Sequence, residues 1–194
     1  APYLLPKLIG ELQDSHPGLD LHVRETMTPR LVQELMLGQL DTAIVALPVS
    51  EPTLMEMPLF SENFVLVRPL GDAKRPVPDP AALRDMRLLL LEEGHCFRDQ
   101  TLNFCNAPSA MPRDGLDGSS LSTLVQMVGA GIGVTLIPEM AINVETRSAN
   151  VCCAPFSDPQ PGRTVGMIWR KSNPLADAFA GIAEVVQRSG LAMP

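Results

Sequence analysis

The sequence predicts an α/β protein folded as two subdomains joined by two crossover connections, and three observations carry that reading. Segments with helical apolar spacing alternate with short apolar or period-two segments, the order seen when helices cover a sheet. Hydrophobic residues make up 45% of the 194 positions but aromatics only 4%, so the core is filled by Leu, Ile, Val, Met and Ala, which suits α/β layers better than a sandwich. Two stretches, 69–80 and 157–162, combine proline and glycine with small or charged residues, a composition that favours irregular connections. They predict a first subdomain over 1–68, a second over 69–162, and a return to the first over 163–194.

The elements follow in order. Tyr3 to Leu12 spaces its apolar residues as a helix, and His16-Pro17-Gly18 stops it. Leu19 to Glu25 alternates apolar and polar, predicting a half-buried strand. Thr28 is placed to cap the next helix, Pro29 suits its first turn, Leu31, Val32, Leu35 and Met36 give it a buried stripe, and Gly38 ends it. Asp41 to Leu47 reads as a buried strand, Glu51 to Met57 as a loop, and Asn63 to Val67 as a further strand. Beyond the first crossing come a strand at Leu88–Leu91, a helix at Phe97–Phe104 and a helix at Leu121–Val128 introduced by Ser119-Ser120. Gly129 to Gly133 halts that helix ahead of a strand at Val134–Ile137. After the second crossing, Thr164–Arg170 predicts a strand and Pro174–Gln187 an amphipathic terminal helix. No internal repeat or low-complexity tract is present.

The formal charge of −7 argues against phosphate-backbone binding by this segment, which needs clustered Lys and Arg. No run approaches the roughly 18 apolar residues of a membrane span, and no basic region followed by an apolar one suggests secretion. The expected location is the cytoplasm, where a disulfide is normally transient, catalytic or sensory rather than structural.

That makes the surroundings of the four cysteines informative. Cys96 follows Gly94-His95 and opens a helical pattern, with Arg98 close by. Positive groups and the free amides of a helix start both favour thiolate, the form that attacks peroxide. Peroxide would give a sulfenic acid that a second thiol, most naturally Cys105, condenses with. A helix of about 1.5 Å rise per residue holds two positions nine apart at roughly 13 Å, whereas a disulfide needs Cα atoms about 5.5 Å apart. Helix and disulfide are therefore mutually exclusive, which would make bond formation a conformational switch. The plainer alternative is that both are small buried hydrophobes, as most free cysteines are; Cys105 beside Phe104 fits it better than Cys96 does. Cys152 and Cys153 lack charged flanks and read as packing residues.

Other candidates divide in the same way. Thr28 and Ser120 each stand at a predicted helix start, where hydroxyl and amides could hold a polar molecule, though such residues are mostly plain caps. His16 and His22 have no partner at zinc-binding spacing, so no metal is expected. Gly129-Ala130-Gly131-Ile132-Gly133 follows a helix and precedes a strand, the reverse of a dinucleotide loop, and no cofactor is expected. The ten methionines read as core filler.

The run Gly94-His95-Cys96-Phe97-Arg98-Asp99-Gln100, with Cys105 nine positions after Cys96, resembles the redox segment of the OxyR-type peroxide sensors among LysR-type transcription regulators. Pro2-Tyr3-Leu4-Leu5-Pro6, Gly38-Gln39-Leu40-Asp41, Pro58-Leu59-Phe60, Gly131 to Pro138 and Arg163 to Gly166 are similar to LysR-type effector domains generally. The resemblance implies two subdomains like those of periplasmic binding proteins, Cys96 as the peroxide-reacting thiol and Cys105 as the resolving one. It implies a peroxide pocket drawing on Thr28 and His95, with Asp99 matching an acid of the redox segment; Arg98 and Ser120 join these as candidate pocket residues. It further implies a winged helix-turn-helix domain preceding this chain, DNA binding through that domain, a homodimer assembling to a homotetramer, contact with RNA polymerase, and a thiol reductant such as glutaredoxin or thioredoxin. Residues 106–117, rich in Pro, Gly and Ala, depart from the pattern.

Three rival functions use the same residues differently: a LysR-type domain binding a small organic acid at the Thr28 and Ser120 helix ends, a thiol peroxidase built on Cys96, and a periplasmic solute-binding protein. An oxidising periplasm would lock the Cys96–Cys105 pair permanently, which weighs against the last.

Overall fold

The computed structural model describes residues 1–105 and 117–191. In chain order the elements are α1 (Leu5–Ser15), α2 (Thr28–Met36), β1 (Thr42–Leu47), β2 (Leu54–Pro69), α3 (Pro80–Asp85), β3 (Leu90–Leu91), α4 (Cys96–Phe104), β4 (Asp117–Gly118), α5 (Leu121–Gly129), β5 (Thr135–Pro138), α6 (Ile142–Glu145), β6 (Val151–Pro155), β7 (Gly162–Arg170) and α7 (Ala176–Leu191). The chain divides into two compact units, Ala1–Glu62 with Arg163–Pro194, and Asn63–Gly162.

In the first unit β7 lies between β1 and β2, and β1 pairs with it antiparallel from Thr42 opposite Trp169 to Leu47 opposite Thr164. α2 covers this sheet. Its Leu35, fully buried, packs with Ala43, Val45, Leu54 and Ile168, and Leu31 and Val32 border the cluster, the stripe that the i, i+3, i+4 spacing requires. Gly166 is glycine because Leu47 fills the space a Cβ would need. α1 packs on α7, burying Leu8 and Leu12 on one side and Phe179, Ala183 and Val186 on the other. Glu62 and Arg163, both at the end of this unit's sheet, form a partly buried ion pair, with Arg163 Nε donating to Glu62 Oε1 at 2.6 Å.

The second unit is built on the latter part of β2, which pairs antiparallel with β5 (Phe64 opposite Pro138) and with β6 (Val65 opposite Pro155). Valine and leucine at 65–67 are buried on both faces, which explains the continuous apolar run there. β3 and β4 form a short parallel pair, and Leu88 bridges Val134 beside it. Gly133 has no room for a side chain: a Cβ would stand 2.3 Å from the Arg87 carbonyl oxygen. Gly131 adopts φ 77°, the left-handed conformation that ends α5.

Several expectations need correcting. Leu19 to Glu25 forms no strand; it has no regular structure, is exposed throughout and has no ladder partner among the described residues. An alternating pattern creates a strand only where another backbone pairs with it. The strand expected at Asn63–Val67 begins nine residues earlier, at Leu54, and absorbs part of the expected loop, because β7 lies beside β2 in the sheet and such a partner is not specified by the local sequence. The two units divide at Glu62–Asn63, inside β2, rather than in the proline-rich stretch 69–80, which holds a short 3-10 turn and leads into α3. Only Leu90–Leu91 of the Leu88–Leu91 run is strand, and the terminal helix starts at Ala176 and runs to Leu191. Of the divergent 106–117 stretch, all but Asp117 lies outside the described residues.

Candidate redox site

The turn that presents the site is set by Gly94, whose φ of 93° few side chains tolerate. It delivers His95 to the N-cap of α4 in extended conformation, with no side-chain cap bond, and Arg98 N–H donates to the His95 carbonyl at 2.9 Å. Cys96 is the first residue of the helix and is half-buried. Asp99 is exposed and lies in the first turn, where an acid suits the dipole.

The inner face of α4 carries Phe97, Arg98, Thr101 and Leu102, all buried, and Cys105 follows as C-cap with no exposed surface. This is the spacing of one helical face. Phe97 meets Phe64 edge-on at 4.8 Å, Thr101 Oγ1 donates to the Phe97 carbonyl at 2.9 Å, and Cys105 N–H donates to the Thr101 carbonyl at 3.1 Å. Next to Cys105, Phe104 stacks edge-on with Phe156 at 5.0 Å, and both line a cavity of about 460 Å³ with Pro78, Pro159 and Gln160. Burial pushes the Cys105 thiol up to about 11. The Cys153 thiol is also raised, first by burial and then by the adjacent Cys152.

All four cysteines are free thiols. With nine residues of helix geometry between them, the Cα atoms of Cys96 and Cys105 stand roughly 13 Å apart, more than twice the separation a disulfide allows. The structure thus shows the helical arrangement, with no bond between the two sulfurs.

Arg98 is turned inward. Its Nη1 donates to the Leu91 carbonyl at 2.8 Å and lies 3.5 Å from Asp117 Oδ1, so it joins α4 to the β3–β4 pair. Sequence reasoning missed Asp117, because nothing in the chain marks a contact across 19 positions. Ser120 is the N-cap of α5, its Oγ accepting from Thr123 N–H at 3.2 Å. Thr28 is the first residue of α2 rather than its cap; Met27 holds that position, with no side-chain cap bond. Of the candidate residues, His95, Cys96, Arg98, Asp99, Cys105 and Ser120 belong to the second unit and Thr28 to the first. No group of residues that could hold a metal ion occurs among the described residues, and none of their helices is long and apolar enough to cross a membrane.

A two-unit α/β chain with a thiol at the start of a helix and a second at its buried end defines a regulatory class. The chain belongs to the LysR substrate binding domain family, which it matches over residues 1–190. Within that family it is 41% identical over 198 residues to a probable hydrogen peroxide-inducible genes activator of Streptomyces viridosporus, a match covering 100% of this chain and 64% of that relative. The regulatory domain of OxyR from Pseudomonas aeruginosa in its reduced form superposes with a TM-score of 0.85 at 36% identity, covering 100% of this chain and 93% of that one. A cysteine-to-serine mutant of OxyR from Corynebacterium glutamicum with hydrogen peroxide bound gives a TM-score of 0.87 at 33% identity, covering 98% of this chain and 62% of that one. The fold is accordingly of the periplasmic-binding-protein type. The chain spans less than two thirds of the length of its curated relatives.

Proposed function

We propose that this chain is the regulatory domain of a LysR-type transcription activator that senses hydrogen peroxide through a reversible Cys96–Cys105 disulfide. The observation that carries the reading is the placement of both thiols on one helix, Cys96 accessible at its start and Cys105 buried at its end. Relatives named for peroxide-inducible activation, and one with peroxide bound, support it.

The Cys96 thiolate attacks one oxygen of hydrogen peroxide, breaking the O–O bond; Cys96 becomes a sulfenic acid and hydroxide leaves, taking a proton to become water. Cys105, as thiolate, then attacks the Cys96 sulfur and displaces the sulfenic hydroxyl, which leaves with one proton as water. Each peroxide is reduced by two electrons drawn from the two thiols. The second step requires the end of α4 to unwind, which breaks the Thr101–Cys105 and Phe104–Phe156 contacts and gives the signal its structural form. His95, Arg98, Asp99 and Ser120, all of the second unit, are the groups proposed to shape the peroxide pocket. DNA binding by a preceding winged helix-turn-helix domain, assembly as a dimer of dimers, contact with RNA polymerase and reduction by glutaredoxin or thioredoxin complete the proposal.

Peptide mapping by mass spectrometry after one equivalent of peroxide tests it. The expected product is a single Cys96–Cys105 linkage, replaced in Cys105→Ser by a trapped Cys96 sulfenic acid. Linkage elsewhere, or none, sinks the assignment, and sustained turnover of peroxide with a thiol reductant would favour a peroxidase instead.

A further inference from the structure

We infer that Arg98 is a positioning residue that raises the free energy of the reduced helix and so favours disulfide formation. The inference rests on the Cys96–Cys105 reading and adds to it a residue that sets the switch's redox balance. Arg98 is only 2% exposed, yet its guanidinium, with five N–H donors, makes one short hydrogen bond, from Nη1 to the neutral Leu91 carbonyl. Among the described residues the carboxylate paired with it, Asp117, is 3.5 Å away at the limit of contact and one-fifth exposed. Nη2 is buried with no hydrogen-bond partner among the described residues. Arg163 shows the contrast: its Nε sits 2.6 Å from the buried Glu62 carboxylate.

Taking a guanidinium out of water is repaid only by close opposite charge and complete hydrogen bonding. One carbonyl and a stretched ion pair fall short of that, so desolvation outweighs attraction and Arg98 is a net cost to the helical form. It is two residues from Cys96 on the segment that must rearrange before the sulfurs can meet. Rearrangement that returns the cation to water recovers the cost, and the recovered free energy appears in the equilibrium between dithiol and disulfide. The competing view is that the Leu91 and Asp117 contacts make Arg98 a clamp on the reduced state. The two views predict opposite signs.

The test equilibrates purified wild type, Arg98→Met and Arg98→Lys in glutathione redox buffers, where two glutathione thiols reduce the disulfide and become glutathione disulfide, and measures the oxidised fraction by alkylation mass shift. Methionine keeps most of the buried stem without the charge. The expected result for Arg98→Met is an oxidised-to-reduced ratio about tenfold lower at a given buffer, a midpoint about 30 mV less negative, while Arg98→Lys, which keeps a buried cation with fewer donors, stays at the wild-type midpoint or below it. In a Cys105→Ser background that cannot form the bond, Arg98→Met should raise the thermal unfolding midpoint. An unchanged or more negative midpoint for Arg98→Met, or its failure to fold, overturns the inference. Should wild type form no Cys96–Cys105 bond at all, the sensor reading fails, and the melting comparison in the Cys105→Ser background still decides whether the buried cation is a cost.

Discussion

Cys105 offers the most quantitative handle on the mechanism. Its thiol has no exposed surface, and burial lifts its pKa from an ordinary 9.0 to about 11. Since each unit is a factor of ten in thiolate fraction, about one molecule in ten thousand carries the thiolate at pH 7 while α4 is intact, against about one in a hundred once the helix end opens. The thiolate is the attacking species, and in the helical state it also stands too far from Cys96. Resolution must therefore pass through an opened state in which Cys105 has its ordinary acidity. The sign follows: the rate of disulfide formation from the Cys96 sulfenic acid rises about tenfold per pH unit below the ordinary thiol range, then levels off near pH 9, well short of 11. Rapid acid quench after a peroxide pulse, with alkylation and mass analysis at each pH, measures it. A rate that climbs without bending through pH 10, or one indifferent to pH between 6 and 8, would refute a pre-opening step that restores normal acidity.

Two further outcomes test the framework around the site. Gly133→Ala puts a Cβ 2.3 Å from the Arg87 carbonyl oxygen, backbone that cannot swing aside, so unfolding by urea should show a loss of about 1–3 kcal/mol or more, with the Leu88–Val134 bridge the first contact to lose amide-exchange protection. Ser120→Ala should cost about 1 kcal/mol by removing the cap of α5, whereas Thr28→Ala should cost only a few tenths, since Thr28 caps nothing; equal losses would mean that the cap assignments are mistaken.

The helices were legible because each encloses its own hydrogen bonds and writes its buried face into the local spacing, as Leu31, Val32 and Leu35 do on α2 and Phe97, Thr101 and Leu102 on α4. Strands were legible only where the partner could be inferred. Leu19 to Glu25 alternates as well as any strand in the chain, but its ladder depends on a backbone elsewhere, which the pattern does not specify. The reverse error occurred at Leu54 to Met57, read as part of a loop although β2 already runs there beside β7. At the site, Cys96 stood out through its neighbours in sequence, and its separation of roughly 13 Å from Cys105, nine positions on, followed from helix geometry. The burial of Cys105 was the outcome that its neighbour Phe104 favoured, and what stayed hidden was three-dimensional: the inward turn of Arg98 toward Asp117.

One helix with a sulfur at each end also sets a temporal rule. In the proposed mechanism the second sulfur arrives only when the far turn opens, so an oxidation is recorded only if that opening precedes removal of the sulfenic acid, and the stability of the last turn of α4 would set how much oxidant registers.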